Sequence, residues 1–313
     1  MLKIKTPHLF LSWFSFIAVL TAAFTASIAA ADPSKAPLKV VATTGMIADL
    51  AEEVGGDRVD VAALMGPGVD PHLYKATLSD LQQLQRADLI LYNGLHLEGK
   101  MAEVLEKLAK KKPSVAVASG IDTNLLLQPP EYEGQYDPHV WFDIKLWIKA
   151  MEAVTLSLSE QRPEDKQFFE SNAAAYMAEL LRLDEWIREQ IASIPKAQRV
   201  LITAHDAFGY FGKAYDIEVM GLQGLSTASE FGLHDLKRLV DVIIDRRIKA
   251  VFVESSVPQK FILALKEGVQ ARGAEVALGG ELFSDAMGEK GTPEGRYTGM
   301  LRHNVSTIVQ ALR

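Results

Sequence analysis

The sequence predicts an α/β protein of two lobes, each with a four-stranded parallel sheet, joined by a single long α-helix. Two series of four short apolar runs alternate with helix-patterned segments, and one long amphipathic stretch separates the two series. Apolar strands that alternate with helices are typical of parallel sheets covered on both faces. The length of 313 residues also suits two domains, each with its own core.

The strand candidates fall into two sets. Those of the first set are Leu38–Thr43, Val59–Leu64, Leu89–Tyr92 and Val115–Ala118, and those of the second are Val200–Thr203, Ile217–Met220, Ala250–Val253 and Glu275–Leu278. Each set is expected to form one Rossmann-like lobe, the first over residues 32–162 and the second over residues 195–313. Neither half contains a low-complexity tract or a short-period repeat.

The linking helix is predicted over residues 163–194. Pro163 suits a first helical position, and no further Gly or Pro follows until Pro195. Apolar side chains recur with the helical period at Phe169, Tyr176, Leu180, Leu183, Ile187, Ile191 and Ile194. About 30 residues at 1.5 Å each make a rod of roughly 45 Å, so we expect the chain to cross between the lobes once.

Residues 1–31 have the features of a cleaved export signal. Lys3 and Lys5 precede an apolar stretch over Leu9–Phe24, and Ala29–Ala31 ends it with small residues. A membrane anchor is the alternative, but the stretch is short for a bilayer span. The chain has no cysteine, so we expect no lipobox cysteine, no disulfide and no thiol chemistry. A bacterial periplasm is the predicted location, and a net charge of −7 argues against nucleic-acid binding.

Two of the seven histidines lie in identical tripeptides, Asp70-Pro71-His72 and Asp137-Pro138-His139. The composition predicts far fewer than one such tripeptide by chance. Proline fixes its own φ and favours an extended residue before it, which gives each imidazole a rigid approach. Both tripeptides fall in predicted loops, where binding residues concentrate. A lone histidine is more often structural, but the repeated tripeptide favours a metal site or a catalytic base.

The second half supplies two matching side chains. His205 follows the apolar strand Val200–Thr203, and Asp285 follows the last strand of the same lobe, so both are expected at the carboxyl ends of strands, where ligands bind in open α/β sheets. Three imidazoles and one carboxylate would form a closed site between the lobes. This donor set suits Zn²⁺ first, with Mn²⁺ or iron possible. Glu254, Asp70, Asp137 and Asp206 are candidates to orient these ligands.

The motifs DPHLY, DPHVWFD, TAHDAFGYF, VFVESS and ELFSDAMG, in this order, resemble those of the cluster A-I solute-binding proteins of zinc and manganese ABC importers, TroA-like members above all. The resemblance covers Leu38 to Arg313. It implies two α/β lobes joined by one backbone helix. It also implies capture of a divalent metal as transported cargo and delivery to an inner-membrane permease. The protein would be a monomer without enzymatic activity.

By the same resemblance, the metal ligands are His72, His139, His205 and Asp285. His96, His234 and His303 match no ligand position and are assigned structural roles. Only His96 lies between the first two ligands, so the His-rich loop of zinc specialists is absent. Three imidazoles favour zinc, whereas a bidentate carboxylate would accommodate manganese. The sequence therefore leaves the physiological metal open.

Two other functions are compatible with the residues. An exported zinc hydrolase would use the three histidines, an open coordination position and Glu254 or Glu230 as general base. No HExxH motif or nucleophile elbow supports it. An adhesin is the third candidate, but no sequence feature indicates a host-binding surface.

Overall fold

The computed structural model describes residue 2 and residues 36–132, 134–228 and 231–313. The predicted export signal, apart from position 2, lies outside the described residues. Residues Ala36–Arg313 form one compact unit. In this described part of the chain, no helix combines the length and the apolar character that a membrane crossing requires.

The first half forms the predicted four-stranded parallel sheet. Its strands are β1 (Leu38–Ala42), β2 (Val59–Ala63), β3 (Leu89–Tyr92) and β4 (Ser114–Ala116). Their order in the sheet is β2-β1-β3-β4, with Val40 paired to Val61 on one side and to Leu89 on the other. The sheet is covered on both faces, because Val41 and Ile90 belong to a different apolar cluster from Val40 and Leu91. This arrangement is the one that continuous apolar strands favour.

The second half also contains its four predicted strands, in two hydrogen-bonded parallel pairs. They are β5 (Val200–His205), β6 (Glu218–Gln223), β7 (Ala250–Glu254) and β8 (Ala277–Leu282), paired as β5–β6 and β7–β8. β5 and β7 lie side by side. At the carboxyl ends of these two strands, the His205 N–H donates to the side chain of Glu254 and not to a backbone carbonyl of β7. The register of β8 shifts by one residue opposite Val251–Val253, where Gly280 has a φ of +130° that favours glycine.

Nine α-helices complete the described part of the chain. They are α1 (Gly45–Gly55), α2 (Leu78–Arg86), α3 (Ala102–Ala109), α4 (Ile144–Gln161), α5 (Lys166–Ala192), α6 (Gly209–Tyr215), α7 (Leu233–Arg246), α8 (Lys260–Ala271) and α9 (Tyr297–Leu312). The 27-residue α5 is the predicted linking helix, and a 3₁₀ turn over Pro163–Asp165 precedes it. Its buried face carries the apolar side chains expected from the sequence, including Leu180 and Ile187.

The two halves share one apolar core, which the sequence did not predict. Residues from β1, α1, α4, α5, β5 and α9 belong to the same buried cluster. The C-terminal helix α9 packs against α1 and α5 as well as β8. At its start, the Tyr297 hydroxyl donates to the carbonyl of Trp141 over 2.6 Å, and the Tyr297 N–H donates to Asp49 over 3.1 Å. The halves are therefore joined by α9 in addition to α5.

Candidate metal centre

The structure brings together the four residues that the sequence singled out. His72 lies between β2 and α2, His139 precedes α4, His205 ends β5 and Asp285 follows β8. One potential ligand atom from each lies within 4.8 Å of all the others, and all four residues are buried. The three imidazole rings are mutually edge-on, with centroids 5.3 to 5.8 Å apart. Side chains from four separate segments thus converge on one small volume.

The two Asp-Pro-His tripeptides adopt the same local turn. The backbone N–H of His72 donates to Oδ1 of Asp70 over 2.8 Å, and the N–H of His139 donates to Oδ1 of Asp137 over 2.9 Å. Asp side chains commonly form this turn with the backbone two residues on, and the intervening proline fixes φ. The repeated tripeptide is therefore a repeated way of presenting an imidazole.

Carboxylates hold two of the rings in a defined orientation. Nδ1 of His139 lies 2.7 Å from Oδ1 of Asp137, and Nδ1 of His205 lies 2.6 Å from Oε2 of Glu254. A carboxylate at Nδ1 favours the tautomer with its proton there, which leaves the lone pair of Nε2 available to a metal. The expected orienting roles of Asp137 and Glu254 agree with these contacts. Asp70 differs, because its second oxygen accepts from Thr227 at 2.5 Å.

The atoms that face the centre have no hydrogen-bond partner within the described ranges. They are Nε2 of His72, His139 and His205 and both carboxylate oxygens of Asp285. The three Nε2 atoms lie 3.2 to 3.5 Å from Asp285 oxygens but are not aligned as hydrogen bonds. Buried polar atoms are rarely left unpaired, and a cluster of them calls for an explanation. A bound cation would satisfy all five at once.

Interactions between charged groups in the site shift the pKa values of His205 and Asp285. Burial lowers the pKa of His205, but the charges of Glu254 and Asp285 outweigh burial and hold this pKa well above its ordinary value. Burial raises the pKa of Asp285, but the charges of the neighbouring His205 and His139 imidazoles outweigh burial and hold this pKa well below its usual range. Asp285 is therefore ionised, and a carboxylate among imidazoles attracts a cation.

Three imidazole nitrogens and one carboxylate form a closed set of four protein ligands, whereas a catalytic site keeps one coordination position open. Both oxygens of Glu254 are engaged by His205, its ring nitrogen and its backbone N–H. Glu230, the other base considered for a hydrolase, lies outside the described residues. Asp206 is partly buried, and burial followed by the charge of Asp137 raises the pKa of its carboxyl to about 6.

The other three histidines of the described ranges lie outside this cluster. His303 on α9 packs edge-on against Phe283, and its Nε2 lies 3.0 Å from the carbonyl of Glu281. His96 occupies a turn with a φ of +64°. His234 is exposed in the first turn of α7. None of the three belongs to the group of potential ligands found among the described residues.

Sequence reasoning missed the residues that tie the site together across the two halves. The indole N–H of Trp141 donates to the carbonyl of Ser284 over 3.0 Å, and Thr227 donates to Asp70. Within the first half, Asn93 donates to the carbonyl of Pro138, next to His139, over 3.0 Å. Trp141 lies inside the DPHVWFD motif, which was the one available signal. The contacts themselves join distant segments and leave no local pattern.

This α/β architecture contains a buried His₃Asp cluster whose side chains come from both halves. Together they place the chain among the metal-binding substrate-binding proteins of ABC transporters. The family described as zinc-uptake complex component A, periplasmic, matches residues 40–311. The chain belongs to this family, which confirms the resemblance noted in its motifs. The protein is thus an extracytoplasmic substrate-binding protein of an ABC importer.

Individual relatives are similar over most of their length. The chain is 54% identical over 277 residues to the manganese-binding lipoprotein MntA of Bacillus subtilis, covering 88% of this chain and 90% of that protein. It is 52% identical over 292 residues to the zinc-binding protein TroA of Treponema pallidum, covering 93% of each. The solved structure of the periplasmic TroA superposes with a TM-score of 0.86 at 51% identity, covering 88% of this chain and 99% of that one. The two-lobe α/β fold predicted from the sequence is confirmed.

Proposed function

We propose that this protein captures a divalent transition metal with His72, His139, His205 and Asp285 and delivers it to the permease of an ABC importer. One observation carries the proposal: the five ligand-capable atoms at the centre are buried and without hydrogen-bond partners in the described ranges. Their side chains come from both halves of the chain. Such a set costs free energy unless a cation occupies it.

The cargo is Zn²⁺ or Mn²⁺. Three imidazoles and the general order of divalent affinities favour zinc in solution. Both oxygens of Asp285 face the centre, and a bidentate carboxylate would raise the coordination number to five, which suits manganese. Similarity does not separate the two metals, because relatives at 54% and 52% identity are named for manganese and zinc respectively.

We further propose that residues 1–31 direct export and are removed, and that the mature protein is a monomer in the periplasm. Residues 32–162 and 195–313 would form the two lobes, with residues 163–194 between them. A carrier must leave its cleft and rims free for the permease, which favours the monomer. The cleaved segment has the charged, apolar and small-residue regions of a signal peptide.

The protein is proposed to bind and not to catalyse. A catalytic zinc keeps a position for water, whereas four protein donors close the set. The one described candidate base, Glu254, is held by His205 through both of its oxygens. These two features support a carrier over an exported hydrolase.

The test is the metal content of protein purified natively from the periplasm, beside the His72→Ala variant. One equivalent of zinc or manganese in the wild type, lost in the variant, is the expected result. The identity of the metal would indicate the cargo. No metal in the wild-type protein, together with no binding in a calorimetric titration, would overturn the proposal.

A further inference from the structure

Trp141 connects the histidine side of the centre with the carboxylate side. It lies two residues after His139 in a 3₁₀ turn over Val140–Phe142, and its ring packs edge-on against that imidazole with centroids 5.3 Å apart. Its indole N–H donates to the carbonyl of Ser284 over 3.0 Å. Ser284 directly precedes Asp285. One buried side chain therefore touches one potential ligand and holds the backbone beside another.

Trp141 is itself held in place. Its carbonyl accepts from the hydroxyl of Tyr297, the first residue of α9, over 2.6 Å. The Trp141 side chain is fully buried. Because both its backbone and its ring are fixed, the position of the indole N–H is fixed too. A donor held in this way sets the position of the carbonyl that accepts from it.

The segment that carries Asp285 has further supports on its own half. Asn304 of α9 pairs with the backbone of Phe283, accepting from its N–H at 2.9 Å and donating to its carbonyl at 2.7 Å. The hydroxyls of Ser256 and Ser284 lie 3.0 Å apart. These contacts hold the segment to its own half, whereas the Trp141 contact runs from the other half of the chain, 143 residues away.

We propose that Trp141 is a positioning residue, whose indole N–H sets the carboxylate of Asp285 at the correct distance from the imidazole of His139. This role deepens the proposed metal-binding function and rests on it. Asp285 lies outside any strand or helix, so its distance to the imidazoles depends on what holds its loop. A ligand held in advance costs less to organise when the metal binds.

The chain supplies a matched control at Trp147. Trp147 on α4 is also fully buried, and it stacks on Tyr297 with ring centroids 5.4 Å apart. Its indole nitrogen has no hydrogen-bond partner in the part of the chain that the structure describes. Trp147→Phe and Trp141→Phe therefore remove the same atoms from the same core, but only Trp141→Phe removes a hydrogen bond to the Asp285 segment.

The experiment measures Zn²⁺ affinity by chelator competition for the wild type, Trp141→Phe, Trp147→Phe, Asp285→Ala and the Trp141→Phe/Asp285→Ala double variant. Loss of a group that orients a ligand costs about tenfold or more in metal affinity, and we expect Trp141→Phe to lose about tenfold. In the Asp285→Ala background the same change should cost less than about twofold, because the residue that it positions is gone. Trp147→Phe should also cost less than about twofold.

A merely structural role would lower the affinity equally in both backgrounds, and that result would overturn the proposal. Equal losses for Trp141→Phe and Trp147→Phe would overturn it as well. If Trp141→Phe does not fold, Tyr297→Phe replaces it, with an expected loss of about threefold in the wild type and none with Asp285→Ala. A Trp141→Phe variant with unchanged Zn²⁺ affinity would overturn the positioning role but not the proposed carrier function. A wild-type protein that binds no metal would overturn both.

Discussion

The hydroxyl of Thr227 donates a hydrogen bond to Oδ2 of Asp70 over 2.5 Å, joining residues 157 positions apart. The other oxygen of Asp70 accepts the backbone N–H of His72. Asp70 therefore ties the turn that presents His72 to the segment that follows β6 on the other half of the chain. Opening the two halves around a bound metal requires this hydrogen bond to break.

Thr227→Val should speed the release of metal. Valine has nearly the same shape as threonine but cannot donate, so the bound state loses one hydrogen bond to a charged acceptor, which is worth roughly 1.5 kcal/mol, or about a tenfold rise in the dissociation rate. Stopped-flow mixing of the metal-loaded protein with a chelator measures that rate. Thr155→Val on α4 is the control, because it removes only a hydrogen bond to its own helix. Equal release rates in the two variants would contradict the expectation.

Asp285→Ala should weaken metal binding far more than it changes the fold. The variant removes the oxygen donor and leaves three imidazoles, a set that binds zinc less tightly and manganese poorly. We expect the manganese affinity to fall by a larger factor than the zinc affinity, measured by calorimetric titration with each metal. Glu281→Ala, an exposed carboxylate on the same segment, should leave both unchanged. Retention of full affinity for both metals would argue for the open, three-histidine site of a hydrolase.

Much of this site follows from local sequence signals, because strand ends and proline turns are local features. The ends of β5 and β8 place His205 and Asp285 at one edge, and the two Asp-Pro-His turns supply the other imidazoles. What local signals could not predict is how identical tripeptides diverge. Asp137 contacts the ring of its own histidine, whereas Asp70 turns its free oxygen to Thr227. That difference depends on which distant segment lies opposite each turn.

The same limit applies to the fold. Apolar periodicity predicts α5 and its buried face, since the pattern repeats within the helix itself. Two parallel pairs in the second half, in place of one ladder of four strands, depend on the neighbours of each strand. At the end of β5 the Glu254 carboxylate accepts the hydrogen bond of the His205 N–H, and an extra residue near Gly280 shifts the register of β8 against β7. The packing of α9 on α1 is likewise a contact between distant segments, and no periodicity encodes it.

Metal should raise the melting temperature substantially. A ligand present at about 1,000 times its Kd for the folded state stabilises that state by about 4 kcal/mol, which corresponds to roughly 7 °C for a protein of this size. Calorimetric scans with and without saturating zinc or manganese, and after chelator treatment, measure the shift. His72→Ala, which keeps only three of the four donors, should show a much smaller shift with either metal. A wild-type curve that does not move with either metal would contradict a site formed by both halves of the chain.

Asp49→Asn should stabilise the protein at neutral pH but not in mild acid. Asp49 is buried on α1, where its carboxylate accepts the N–H of Tyr297 over 3.1 Å and lies 3.9 Å from Arg296. Burial raises the pKa of Asp49 to about 6, although the Tyr297 hydrogen bond and Arg296 oppose the rise. The folded protein therefore keeps a proton on Asp49 at a pH where the unfolded chain has lost it. The stability that this group contributes is present below about pH 4 and is lost as the pH rises through about 6.

Asparagine keeps an oxygen that can accept from Tyr297 and carries no charge at any pH. We expect the free energy of unfolding of Asp49→Asn to exceed that of the wild type by about 2 kcal/mol at pH 7.5 and to equal it near pH 4. Urea denaturation of the metal-free proteins at the two pH values measures the difference. Asp57→Asn, an exposed carboxylate just after α1, is the control and should change stability little. A gain of the same size at both pH values would show that the charge of Asp49 is not what destabilises the contact between α1 and α9.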